Sequence, residues 1–270
     1  MRGLLHYHSM YAERFLPMKE LQRILSFARR AMDDYEMIRP HDRVAVGVSA
    51  GKDSLTLLTA LAEMRRFYPI PYELVAITVD MGFPDTDFSP VEEYCRQLDV
   101  PYRVVPSDIA NIVFNIRREK NPCSLCANLR RGALHRAAIE MGCTRVALGH
   151  HFDDVVDTFM LNLFFEGRIG CFAPVTYLSK TGLYLIRPLL YAQEKDIRYY
   201  VRHTPELPVL ESPCPENHET ERENMKNLLK DLESRNKGLR HRIFGAMCRG
   251  EISGYKPSAR PMPMFREDDA

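Results

Sequence analysis

The chain has 270 residues, enough for one elaborated domain with a sizeable core. Lys and Arg number 37 against 36 Asp and Glu, so no global field marks it as a nucleic-acid or membrane-surface binder, and such contacts must come from local charge placement. The first residues lack the apolar centre of a signal peptide and no apolar run reaches membrane-spanning length. Cytoplasm is therefore expected, where seven cysteines read as metal-binding or catalytic thiols rather than disulfides.

Leu21, Ile24, Leu25, Ala28, Ala31 and Met32 recur at helical spacing, predicting an amphipathic helix over 18–36. Strands are predicted at 43–48, 73–79, 102–105, 144–148 and 184–187, with helices near 53–67, 88–99, 125–141, 152–166 and 193–203. That alternation predicts an α/β fold with a doubly wound, mostly parallel sheet, whose ligands sit beyond the carboxyl ends of the strands. The loop after Val48, the turn at Asp80-Met81-Gly82 and the turn at Gly149-His150 are then expected to share one crevice. Past residue 205, Pro205, Pro208, Pro213 and Pro215 make a rigid extended connection. A charged helix near 219–236, a basic helical segment near 239–248 and a disordered tail from Ser253 are expected to follow. The expected organisation is an N-terminal helical segment (1–40), a nucleotide domain (41–205), a helical extension (206–252) and a tail (253–270). Two basic stretches, 111–136 and 235–250, are candidates for contact with a phosphate backbone or, equally, plain solvated helix faces.

The apolar run 43–48 ends in Ser49-Ala50-Gly51-Lys52-Asp53-Ser54 and opens into Leu55-Thr56-Leu57-Leu58. A strand, a small-residue turn and a helix start present free N–H groups and a favourable dipole to an anion. Gly51 lets the backbone approach a phosphate, Lys52 adds positive charge and Ser54 a hydroxyl. The Walker pattern is excluded, because only three residues separate Gly47 from Gly51 and Asp53 follows Lys52. An acid at Asp53 suits a magnesium ion or the orientation of a group near the phosphates; the plain alternative is a dipole-favoured first-turn residue. The segment resembles the PP-loop of ATP pyrophosphatases, usually Ser-Gly-Gly-x-Asp-Ser, which cleave ATP between the α and β phosphates and adenylate an oxygen of their substrate. Ala50 departs from it: its methyl is tolerable at negative φ and harmful at positive φ.

Cys123-Ser124-Leu125-Cys126 sets two thiols at metal-ligand spacing. Pro122 blocks an earlier helix from running through, and Ser124 is expected to cap the helix that follows. Cys214, pinned between prolines, is the best third ligand, and Cys95, Cys143, Cys171 and Cys248 read as small buried hydrophobes. Three thiolates suit zinc completed by a fourth ligand such as His218, or a [4Fe–4S] cluster with one open iron. Gly149-His150-His151-Phe152-Asp153-Asp154 forms a third constellation. Its glycine allows approach to a nucleotide and its carboxylates reach a magnesium ion, against a plain reading in which His150 packs at a strand end and one Asp caps a helix. Arg130 and Arg131 lie one turn past Cys126, where they bridge the thiols to phosphates or serve as surface charge.

Together with the stretch 30–38, Ala127-Asn128-Leu129-Arg130-Arg131-Gly132, Ile186-Arg187-Pro188-Leu189 and Glu194-Lys195-Asp196-Ile197, these motifs resemble, in order and spacing over about residues 20–235, the tRNA 2-thiocytidine synthetase family. The resemblance implies an adenine nucleotide alpha-hydrolase-like fold that uses ATP and Mg2+ and holds a [4Fe–4S] cluster through Cys123, Cys126 and Cys214. It implies a nucleotide site of Ser49, Ala50, Gly51, Lys52, Asp53, Ser54, Asp80 and Gly149, with Lys52, Asp53, Asp154 and Arg130 in catalysis. The implied reaction adenylates the base oxygen of an anticodon-loop cytidine and replaces it with sulfur. The implied partners are tRNA and a sulfur donor, a cysteine desulfurase or free sulfide, with a homodimer as one assembly and no membrane. The chain departs from some relatives at Cys214-Pro215-Glu216-Asn217, where they carry a second C-x-x-C. Thiolation of a uridine, adenylation followed by amine ligation, and a zinc-bound, non-catalytic RNA-binding protein are the alternatives.

Overall fold

The computed structural model describes residues 18–118, 122–215 and 221–256. Helix α1 (Met18–Asp34) is followed by β1 (Arg43–Gly47), α2 (Lys52–Met64), β2 (Glu73–Val79), α3 (Ser89–Gln97) and β3 (Tyr102–Val105). A single turn, α4 (Ile109–Asn111), runs into a π-helical stretch over Ile112–Arg117. Next come α5 (Pro122–Glu140), β4 (Arg145–Ala147), α6 (Phe152–Phe165), β5 (Val175–Leu178), β6 (Leu183–Ile186) and α7 (Glu194–Arg202). The extension is built from α8 (Glu221–Arg235), α9 (Leu239–Arg249) and a short 3-10 turn, Ile252–Gly254.

The strands form one six-stranded sheet in the order β3-β2-β1-β4-β6-β5, parallel except for the edge strand β5. β1 and β2 are near-continuous apolar runs because helices cover both faces. Alternation divides their side chains. Ala45, Val75, Ile77 and Val146 meet Leu134, Ala137 and Ala138 of α5 on one face. Val44, Val46, Leu74 and Ala76 belong to the larger core with α1, α2, α6 and the extension on the other. β1 lies between β2 and β4, so strand order reverses there, and the loops after β1 and β4 open the crevice where α/β sheets take ligands.

The expected α/β architecture is present, with three differences. β5 was not expected: its four residues sit half-exposed at an edge, and the hairpin depends on pairing with β6 rather than on an apolar run. Helix α5 begins at Pro122, whose missing N–H is harmless in a first turn, so Ser124 is a helical residue and not the cap. The segment beginning at Ser253 is packed as far as Lys256, since Tyr255 is fully buried against Phe244 and Tyr35. The rest of the expected tail, the chain before Met18 and His218 lie outside the described residues.

At the amino edge of the sheet, one buried carboxylate ties the strands together. Asp42 accepts hydrogen bonds from the Arg39 N–H at 2.6 Å, from the Thr144 hydroxyl at 2.7 Å and from the Arg145 guanidinium, which also lies over the Tyr184 ring. Its carbonyl takes the Glu73 N–H, so three strand starts converge on one residue. Arg145 is 2% exposed, and removing its partner leaves an uncompensated buried cation. Asp42→Ala should lower unfolding free energy by about 3–5 kcal/mol, read as a shift in the urea midpoint at constant slope. A loss below about 1 kcal/mol would show that the pair does not hold the edge.

Candidate functional site

The loop 49–54 is organised by Ser54. Its hydroxyl accepts the Ser49 N–H at 3.1 Å, lies 3.2 Å from the Ser49 hydroxyl and donates to the Gly51 carbonyl at 2.9 Å. Gly51 caps α2 in an extended conformation, and an added Cβ would meet only the Ser49 Oγ, at 3.5 Å. Neither backbone conformation nor internal packing demands a glycine at this position. An outside group approaching the backbone gives a reason for one. Ala50 is left-handed, with φ +59°, and 1% exposed. Its carbonyl accepts the Leu210 N–H at 3.0 Å, which joins the loop to the proline-rich connection that carries Cys214.

The strained case anticipated for Ala50 therefore holds. Left-handed backbone costs an alanine about 1–2 kcal/mol. Glycine would restore most of that, but it loses about 0.5–1 kcal/mol to chain entropy and about 0.8 kcal/mol of methyl burial. Ala50→Gly should accordingly leave stability within about 1 kcal/mol of the parent, whereas Ala50→Val should lose more than about 2 kcal/mol. Denaturant melts of both variants check this, and a strongly stabilised glycine variant would refute the balance.

Gly149 has a packing reason of its own to be glycine. A Cβ there would lie 3.1 Å from the Asp53 carbonyl carbon and oxygen and 3.2 Å from the Ser54 nitrogen. Its bare backbone lets the turn after β4 press onto the start of α2. Asp80 ends β2. Its Oδ1 accepts the Gly82 N–H at 2.9 Å, and its carbonyl takes the Ser107 hydroxyl at 2.5 Å, so the side chain fixes the turn.

His151 is the N-cap of α6 and forms a reciprocal capping box with Asp154. The Asp154 Oδ2 accepts the His151 N–H at 3.0 Å, while its Oδ1 meets Arg222 of α8 at 2.9 Å. Asp153 accepts the Glu194 N–H at 2.7 Å and pairs with Arg240 of α9 at 3.3 Å, and Arg240 also meets Asp157 at 2.7 Å. Arg240, expected in an exposed basic stretch, is thus drawn inward by two carboxylates. Lys52 contacts Asp53 at 2.9 Å and Glu194 at 3.2 Å. The buried Asp53 Oδ1 has no hydrogen-bond partner, and the His151 Nε2 is 3.8 Å away. Glu194, Arg222 and Lys226 are site residues that sequence reasoning missed. The available signal was an acid opening a helix that begins with a resemblance motif, and two cations at i, i+4 on α8.

The three expected thiols fall in two places. Cys123 and Cys126 occupy the first turn of α5, and Cys214 lies four residues past Leu210. All seven cysteines are free. Burial pushes the Cys126 thiol up, Arg130 draws it down, and Cys214 and Cys123 push it up further, so Cys126 lies within electrostatic reach of both. Arg130 is exposed beside it, whereas Arg131 folds back on its own helix to the Ala127 carbonyl. Among the described residues no three His, Cys, Asp or Glu side chains are grouped to hold a single metal ion. Burial drives Cys95 and Cys171 to about 12 and Cys143 and Cys248 to about 11, which suits inert packing thiols.

Two of the groups that contribute to the acid behaviour carry large depressions. Burial, assisted by Arg187, pulls His150 from 6.5 down to about 4. Burial raises Glu194, but Arg198, Lys52 and Lys226 outweigh it and bring the group from 4.5 to about 2. Both folded values are depressed, so the stability they contribute is complete above 6.5 and 4.5 respectively and is lost as pH falls through 4 and then 2. Glu194→Gln should flatten the lower limb of a stability–pH curve and His150→Asn the upper one, measured by denaturant melts. Unchanged limbs would remove these groups as the cause.

Comparison with known proteins accords with this geometry. The PP-loop domain family matches residues 21–245. The tRNA-cytidine(32) 2-sulfurtransferase of Geobacter sulfurreducens is 38% identical over 229 residues, covering 84% of this chain and 89% of that protein. The protein of the same name from Psychromonas ingrahamii is 40% identical over 221 residues, covering 81% and 71%. The solved structure of the U34-tRNA thiolase NcsA from Methanococcus maripaludis with its [4Fe-4S] cluster matches with a TM-score of 0.67 at 26% identity, covering 83% of this chain and 77% of that one. No helix among the described residues is long and apolar enough to cross a membrane. The chain belongs to the PP-loop family and, within it, to the family of tRNA-cytidine(32) 2-sulfurtransferases.

Proposed function

We propose that this chain is an ATP-dependent tRNA thiolase that replaces the C2 oxygen of an anticodon-loop cytidine with sulfur. One observation carries the reading: the hydrogen bond from Leu210 to Ala50 ties the nucleotide loop to the segment bearing Cys214, whose thiol in turn acts on Cys126. That link supports a reading in which the nucleotide chemistry and the three thiols act together. Relatives at 35–40% identity bear the cytidine name, which favours cytidine over the uridine of the more distant thiolase.

ATP phosphates sit at the amino end of α2, where the dipole and Lys52 stabilise charge that builds as the α-phosphorus is attacked. The base oxygen forms a bond to that phosphorus, and pyrophosphate leaves. Sulfide then adds at C2 and expels AMP, a far better leaving group than the original oxygen. The residues fit Mg2+ through the Asp53 Oδ1, which has no hydrogen-bond partner, with Asp154, which approaches the same His151 ring nitrogen, as the second candidate ligand. Three free thiols, one in electrostatic reach of the others, are the donor type for a [4Fe–4S] cluster held by Cys123, Cys126 and Cys214. Such a cluster supplies an iron without a protein ligand, a binding position for inorganic sulfur. Arg130 stands beside these thiols to meet the tRNA phosphate backbone, and the sulfur donor is a cysteine desulfurase or free sulfide.

Full-length protein, reconstituted anaerobically and given tRNA, ATP and sulfide, should form 2-thiocytidine by nucleoside mass spectrometry. Formation of 2-thiouridine alone would overturn the choice of base. Cys214→Ala should abolish thiolation while ATP affinity stays within about twofold, and Lys52→Met should slow AMP release on the order of 100-fold. Normal thiolation by the Cys214 variant would refute the three-thiol centre.

A further inference from the structure

Lys52 does not stand free in its loop. Its ammonium is shared between Asp53 and the Glu194 carboxylate, and Glu194 is also held by Arg198 at 2.9 Å and by Lys226 at 3.3 Å. The Glu194 side chain is only 13% exposed and Lys52 and Lys226 are about a third exposed, whereas Arg198 is 61% exposed and its contact is the most screened of the three. Its position is itself fixed, because Asp153 accepts the Glu194 N–H at the start of α7. Lys226 and Arg222 lie one turn apart on the same face of α8, and Arg222 grips Asp154 as Lys226 grips Glu194. Met225 and Leu229 seat α8 in the core beside them.

We infer that Glu194 is the resident counter-ion of Lys52, and that Lys226 of the C-terminal extension sets how tightly Glu194 holds it. Phosphate oxygens compete with Glu194 for one ammonium. A carboxylate satisfied by Arg198 and Lys226 releases Lys52 readily, and one deprived of Lys226 pulls harder. The seating of α8 thereby tunes ATP affinity from outside the PP-loop. Glu194 and Lys226 are positioning residues acting through Lys52. The inference rests on ATP binding at the loop, the first half of the proposed function, and not on the identity of the base.

The test is a double-mutant cycle on the full chain, with ATP dissociation constants measured in the presence of Mg2+ and no tRNA. Glu194→Gln should tighten ATP by roughly three- to tenfold, a direction that mere structural damage does not produce. Lys226→Met should weaken it by a similar factor, and in the Glu194→Gln background the Lys226 change should have almost no effect. Weaker binding by Glu194→Gln would overturn the inference, making Glu194 an organiser or metal ligand instead. Multiplying effects would also overturn it, because Lys226 would then touch the phosphates directly. Should Glu194→Gln fail to melt cooperatively, Glu194→Asp, one methylene shorter, replaces it with the same expected direction. ATP binding without formation of a thionucleoside would remove the thiolation reading and leave this cycle to decide the counter-ion role. Failure of the parent to bind ATP would remove both.

Discussion

Four carboxylates, Asp53, Asp153, Asp154 and Glu194, crowd the amino ends of α2, α6 and α7 at the carboxyl edge of the sheet. Helix dipoles favour acids there, but dipoles alone do not offset so much like charge in a partly buried crevice. Cations from elsewhere must answer them, and they do so in pairs: Lys52 with Asp53 and Glu194, Arg222 with Asp154, Arg240 with Asp153, Lys226 with Glu194. Three of these four cations come from the extension. The helices after residue 220 are thus held to the rest of the fold by acids at the carboxyl edge of the sheet, with Met225, Leu229, Phe244 and Met247 supplying apolar burial beneath.

That arrangement joins parts of the chain that are far apart in sequence. The loop after β1 is backed by the bare backbone of Gly149, gripped through Ala50 by the connection carrying Cys214, and met at Lys52 by the Glu194 carboxylate at the start of α7. A change in any of these partners therefore reaches the nucleotide loop without altering its sequence. The opposite edge of the sheet is calmer, with Asp42 and Arg145 closing the strand starts where no ligand is expected.

Much of this was legible in the residues. β-branched and apolar runs of five to seven residues marked β1 and β2, because strands buried on both faces leave little room for polar groups. The loop 49–54 and the cysteine pair at 123 and 126 were visible because their chemistry depends on local spacing. The edge strand β5 was not, since four half-exposed residues carry no periodic signal and the hairpin exists only by pairing with β6. Nor was the buried state of Arg240, because a cation in a basic stretch looks the same whether it faces water or a carboxylate across the fold.

By itself, the sequence determined the α/β class, the placement of a phosphate loop at a strand end and the supply of three thiols, all properties of short windows with fixed spacing. Only the tertiary structure decided what those windows do to one another. It put Ala50 in a left-handed conformation with its carbonyl on the Leu210 N–H, and it packed Gly149 where two turns converge at Asp53. It also gave Lys52 a second partner in Glu194, for the physical reason that a partly buried charge takes the nearest opposite charge in space, however distant that residue is along the chain.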